Sequence, residues 1–133
     1  MIAKLLVSVG IVFYALVVPY LEVNNTHVFN PQWVSHARLH EVWQLATNCL
    51  FGVFSVWLVW AKARIKLASM VTFFITGGFL FSYITRGAYG GSMLHSDGTE
   101  RLLLGINIGV IGFGLAILLT VIALYLDKDN KAL

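Results

Sequence analysis

Four long apolar stretches decide what this chain can fold into. They run from about Ile2 to Tyr20, Val42 to Trp60, Leu67 to Thr85 and Leu102 to Leu126. A helix that crosses a bilayer needs about 20 mostly apolar residues at about 1.5 Å each, and every stretch meets that length. The alternation of polar and apolar residues that marks a membrane β-barrel is absent. Of the 133 residues, 59% are hydrophobic and 11% charged. An ordinary soluble domain is about 25% charged, so there is too little polar surface to coat a water-exposed globule. The sequence therefore reads as one all-α domain over residues 1–133, a polytopic four-transmembrane-helix bundle integral to the lipid bilayer.

The first stretch, with Lys4 ahead of an apolar core, has the outline of a signal peptide. No small-x-small cleavage pattern follows it in "VVPYLEVNN", so a retained span is expected. Lys4, the run "AKARIK" with Lys62, Arg64 and Lys66, and the tail residues Lys128 and Lys131 fall on one side of a four-span topology. Arg38, Arg86 and Arg101 fall on the other. Basic residues concentrate in cytoplasmic loops, so both termini are expected in the cytoplasm. The net charge of +3 is spread over segment ends and forms no patch interleaved with aromatics, which excludes a nucleic-acid partner. Cys49 has no partner for an internal disulfide.

That topology puts His27, His36, His40 and His95 at the outer end, with Glu22, Glu41, Asp97 and Glu100. Asn30-Pro31 is a good helix start, since Asn caps free N–H groups and Pro tolerates the first helical position. A helix of about thirty residues to Trp60 is expected from there, with Trp33 and Trp43 in the interfacial zone. Along it His36, His40, Gln44 and Asn48 recur every four residues, a spacing that shares one helix face. Glu41 lies beside this stripe. Polar groups facing lipid would stay unsatisfied, so the stripe is expected to face the other helices or a wet cavity. Arg86 at the end of the third span and Asn107 in the fourth can meet it. Between them "GAYGGSMLHSDGTER" brings His95, and the loop after the first span brings His27.

Three chemistries compete for this pocket. His36 and His40 have the i, i+4 spacing that can place two imidazoles on one metal ion, with His27 or His95 completing the set. Alternatively His36, His40 and Glu41 act as acid–base groups on a lipophilic molecule. Asn48, Arg86 and Asn107 would orient or polarise it, and His27, Asn30, Trp33, Gln44 and His95 would line the site. A quinone, whose carbonyls accept hydrogen bonds from His, Asn or Arg, is a related ligand. The third reading is structural, with polar side chains joining helices. In that case the chain is a non-catalytic subunit of a larger membrane complex or a homo-oligomer. It would pack through the fourth span, where Gly105-x-x-x-Gly109 permits close approach. Gly77-Gly78 in the third span marks a local kink or close contact.

The run "NTHVFNPQWVSHARLH" resembles one found after the first span in small four-helix membrane proteins grouped as DoxX-like. The residues that carry the resemblance are His27, Asn30, Pro31, Trp33, His36, Arg38 and His40. It implies a four-helix membrane bundle and, through the quinone-linked oxidoreductase that gave the group its name, little about chemistry. The sequence thus supports a membrane-embedded enzyme or binding protein for a small lipophilic molecule, and leaves its cofactor open between a metal ion, a quinone and none.

Overall fold

The computed structural model describes the backbone of residues 1–130 and the side chains of residues 1–127. Of the basic residues counted for orientation, Lys131 and the side chain of Lys128 lie outside the described residues. Four helices carry the fold: α1 (Ile2–Glu22), α2 (Ser35–Trp60), α3 (Ile65–Thr85) and α4 (Ile108–Asn130). All four are long and apolar enough to cross a membrane. The chain is a four-helix bundle of the multi-pass membrane type, as its apolar stretches require. Four successive crossings place the N-terminus, the α2–α3 turn and the end of α4 at one end. The loops 23–34 and 86–107 share the other.

α1 is the axis of the packing. Its buried residues Ala3, Val7, Ile11, Tyr14 and Ala15 follow the helical repeat and form one stripe. α1 touches all three other helices, while α4 packs on α3 and α3 on α2; α2 and α4 stand across the bundle from each other. Two glycines set the close approaches. A Cβ on Gly10 would lie 3.1 Å from Thr120 Oγ1 and 3.3 Å from the Ala116 carbonyl, and one on Gly52 would collide with Ala15 Cβ at 2.2 Å. In lipid, apolar contact alone gives helices little reason to associate, and small residues compensate by letting backbones meet.

The C-terminal half of α1 contains a π turn over Phe13–Val17, just before Pro19. Pro19 has no N–H to give the Ala15 carbonyl one turn back, and the Cys49 thiol approaches that carbonyl at 3.4 Å. The lone cysteine is thus an inter-helix contact. Several hydroxyls inside the bundle are satisfied within it, although the buried Ser69 hydroxyl has no partner among the described residues. Thr72, Thr76 and Thr120 donate to carbonyls of their own helices, at 3.1, 2.7 and 2.7 Å, and the buried Tyr14 hydroxyl meets Ser55 Oγ at 3.1 Å.

Three local expectations are corrected. The fourth helix begins at Ile108, not Leu102. Residues 102–107 form an antiparallel hairpin of β1 (Leu102–Leu103) and β2 (Ile106–Asn107). Its turn holds Leu104 and Gly105 at φ 53° and 79°, the left-handed pair that a tight two-residue hairpin needs. Gly105 is therefore a turn residue and shares no helix face with Gly109. The second helix begins at Ser35, because Val34 is extended and Asn30 spends its side-chain oxygen on the Gln32 N–H, 2.9 Å away, in a turn of its own. Gly77 and Gly78 lie in continuous helix with open space beside them, so they mark neither a break nor a close contact.

Candidate functional site

The site starts where α1 ends. Loop 23–34 folds straight back over that end: the Val28 N–H bonds the Glu22 carbonyl at 3.2 Å, and the Phe29 N–H bonds that of Asn24 at 2.9 Å. Asn24 Oδ1 accepts from the Thr26 N–H at 2.7 Å and from its hydroxyl at 2.6 Å, a side-chain-closed turn of the type Asn favours. The result brings His27 Nδ1 to 2.7 Å from Glu22 Oε2. That oxygen is buried without a well-aligned hydrogen bond. The Glu22 carboxylate raises the His27 pKa above its ordinary value. Burial opposes the rise, Glu41 adds to it and Arg101 subtracts. Edges of two further rings enclose the imidazole, Trp33 at 5.6 Å and His95 at 5.1 Å between centroids.

Asn30 ties loops 23–34 and 86–107 together. Its fully buried amide donates to the Thr26 carbonyl at 2.8 Å and to Ser96 Oγ at 3.1 Å. A buried amide with all its groups engaged is a strong local constraint, because breaking it strands polar atoms. The loop that supplies His95 and Ser96 is shaped by Asp97, whose carboxylate accepts from the Thr99 N–H at 2.9 Å and hydroxyl at 2.6 Å. Those bonds hold the Asp97 pKa below its ordinary value.

The same loop roofs a second polar region. An open cleft of about 400 Å³ is lined by Tyr83, Arg86, Leu94, Glu100, Ile106 and Asn107, among others. Arg86 stacks on the Tyr83 ring at 4.1 Å and donates to the Tyr83 carbonyl. Asn107 donates to Glu100 Oε1 at 3.0 Å, and its Oδ1 accepts the Gly109 N–H at 2.8 Å, capping α4. Arg86 and Asn107 therefore share one cleft, joined through residues 94–101 to the Glu22–His27 pair.

The stripe on α2 does not behave as its spacing suggests. His36, His40 and Gln44 are exposed, Glu41 is half-buried and Asn48 is buried. A four-residue step overshoots a 3.6-residue turn by about 40°, so three steps rotate the stripe by about 120°. His36 starts on the outer face of α2, and Asn48 arrives at the core. Glu41 sits about 100° round from His40 and acts electrostatically on His27. The expected grouping of His36, His40 and Glu41 in one acid–base site is thus split. Gln44 does not line the interior, while Asn48 lies roughly 10 Å further along α2 than Glu41.

His36 and His40 do meet each other, with their Nε2 atoms 3.0 Å apart. Neither His27 nor His95 joins them: among the described residues no group of three His, Cys, Asp or Glu side chains is placed to hold a metal ion. Glu22, expected beside His27 in the same pocket, acts on it directly; two further participants had no assigned role, Arg101, which acts on His27, and Ser96, which receives Asn30. Glu22 was legible as a carboxylate five residues before a histidine, but nothing in the spacing announced a loop that doubles back. No family model, curated protein or solved structure matches this chain.

Proposed function

We propose that this protein binds a small lipophilic molecule at the loop-bearing end of its bundle and exchanges protons with it through the Glu22–His27 pair. The observation that carries the reading is that pair itself: a half-buried carboxylate whose buried oxygen lies 2.7 Å from an imidazole, enclosed by Trp33 and His95. One nitrogen engaged by a carboxylate leaves the other to donate or accept, the arrangement general acid–base chemistry uses. The adjoining cleft offers Arg86, Asn107 and Glu100 for a polar head, beside Leu94 and Ile106 for an apolar body. A quinone or another lipid with hydrogen-bonding oxygens has that chemistry. In this reading both termini are cytoplasmic, the site opens to the outer leaflet, and the chain is one of the DoxX-like membrane proteins that residues 25–40 resemble.

The test is the protein purified from native membranes in mild detergent, extracted with organic solvent and analysed by mass spectrometry beside Glu22→Gln and His27→Gln. Enrichment of one lipophilic species in the unaltered protein and its depletion in both variants is the expected outcome. Identical extracts from all three proteins, equally folded, contradict it.

One observation favours a second reading, a subunit of a larger assembly. Gln44 is exposed about 13 Å along α2, where an amide turned to lipid lacks partners. In an assembly a Gln44→Leu variant loses a stoichiometric partner that the unaltered protein retains through purification.

A further inference from the structure

We propose that His36 and His40 form a bidentate site for a borderline divalent transition-metal ion such as Cu²⁺, Ni²⁺ or Zn²⁺. The site is separate from the Glu22–His27 pair, and the inference is independent of the function proposed above. It rests on the convergence of the two Nε2 atoms at 3.0 Å. A metal–imidazole bond is about 2.0–2.1 Å, so two imidazole nitrogens on adjacent positions of one ion lie about 2.9 Å apart at a right angle and about 3.3 Å apart in a tetrahedron. The observed separation falls inside that interval.

Both rings are exposed, so an ion reaches them without moving the bundle. They are crossed at 87° with centroids 4.5 Å apart, which lets both in-plane lone pairs aim at one point. Without metal, one Nε2–H donates to the other ring's Nε2. With metal, the donor ring carries its proton on Nδ1 instead, and both Nε2 lone pairs bind the ion. Two neutral imidazoles suit the borderline metals and not Mg²⁺ or Ca²⁺. Because no third His, Cys, Asp or Glu joins them among the described residues, the remaining coordination positions are left to water or to an external ligand. An ion held in this way is exchangeable and open to further ligands, unlike a closed structural site.

Trp43 supplies a built-in reporter, its ring 5.8 Å from that of His40, close enough for bound Cu²⁺ to quench its emission. The experiment is a Cu²⁺ titration of the tag-free, full-length protein in lipid nanodiscs at pH 7.5, read by tryptophan fluorescence. Copper resonance spectra count the bound nitrogens. The unaltered protein should show saturable quenching with two imidazole nitrogens. His36→Ala and His40→Ala should each weaken binding at least tenfold, while His27→Ala leaves it unchanged. The double variant Arg38→His, His40→Ala keeps the number of histidines but sets them two apart, where they cannot face each other, and should bind as poorly as His40→Ala. All variants must match the parent in helical circular dichroism. Undiminished binding in both His36→Ala and His40→Ala, or equal loss in His27→Ala, overturns the site.

Discussion

Glu22 Oε2 and His27 Nδ1 stand 2.7 Å apart, five residues apart in sequence, because the chain reverses at the end of α1 instead of continuing away from it. This short loop turns two ordinary polar residues into a coupled pair, and Asn30 fixes the pair in relation to the loop beyond α3 through Ser96. Several consequences can be measured.

The carboxylate holds the His27 pKa above its ordinary value. A folded-state pKa that is raised contributes stability fully present below the unfolded value, near about 6.5, and lost as pH rises through the folded value. Resistance of loop 23–34 to proteolysis should therefore decline as pH passes upward through the His27 titration. In Glu22→Gln the His27 ring, followed by carbon-13 NMR, should titrate at lower pH and the pH-dependent protection should shrink. An unchanged His27 titration in that variant contradicts the coupling.

Removing the Asn30 amide takes away the donor to the Thr26 carbonyl and to Ser96, and each hydrogen bond lost costs about 0.5–1.5 kcal/mol. Asn30→Ala should lower the melting temperature in detergent and expose residues 91–101 to protease before the helices melt. A normal digestion pattern argues that the two loops are not tied there.

Gly52 sits where a Cβ would overlap Ala15 Cβ at 2.2 Å. Overpacking of this kind costs about 1–3 kcal/mol, so Gly52→Ala should destabilise the bundle by that order and Gly114→Ala, which faces open space, should not. Thermal unfolding of the two variants side by side reads the difference.

Asn107 caps α4 through Gly109, and loss of a helix cap costs about 1 kcal/mol. Asn107→Ala should destabilise by about that amount and free Glu100, whereas Asn107→Asp should keep the cap and repel the Glu100 carboxylate. Hydrogen exchange at the first turn of α4 separates the two.

The helices were legible because lipid demands a length and a composition, and residues 2–22 or 65–85 meet both whatever their neighbours do. The apolar tetrad 102–104 and 106 met the same demand and was misread as helix, since its structure is set by the turn at Leu104-Gly105. The site was legible in its members and not in its grouping. His27, Asn30, Trp33 and His95 do converge, and Arg86 and Asn107 share a cleft. His36 and His40 point away, because a four-residue repeat winds around a 3.6-residue helix and its burial depends on where the seam with α1 falls. That seam is set by Leu45, Asn48, Gly52 and Ser55, a pattern that small and polar residues hide from a reading based on hydrophobicity.

The most direct measurement of whether a lipophilic molecule occupies the His27 region is site-specific photo-crosslinking in native membranes. A benzophenone side chain is introduced at Trp33, beside His27, and separately at Phe74, an exposed position on α3, and adducts are weighed by intact-mass spectrometry. A ligand site predicts one discrete small-molecule adduct at position 33 against a spread of bulk phospholipid adducts at position 74. The same phospholipid spread at both positions, with the His27–Glu22 pair intact by its titration, would contradict it.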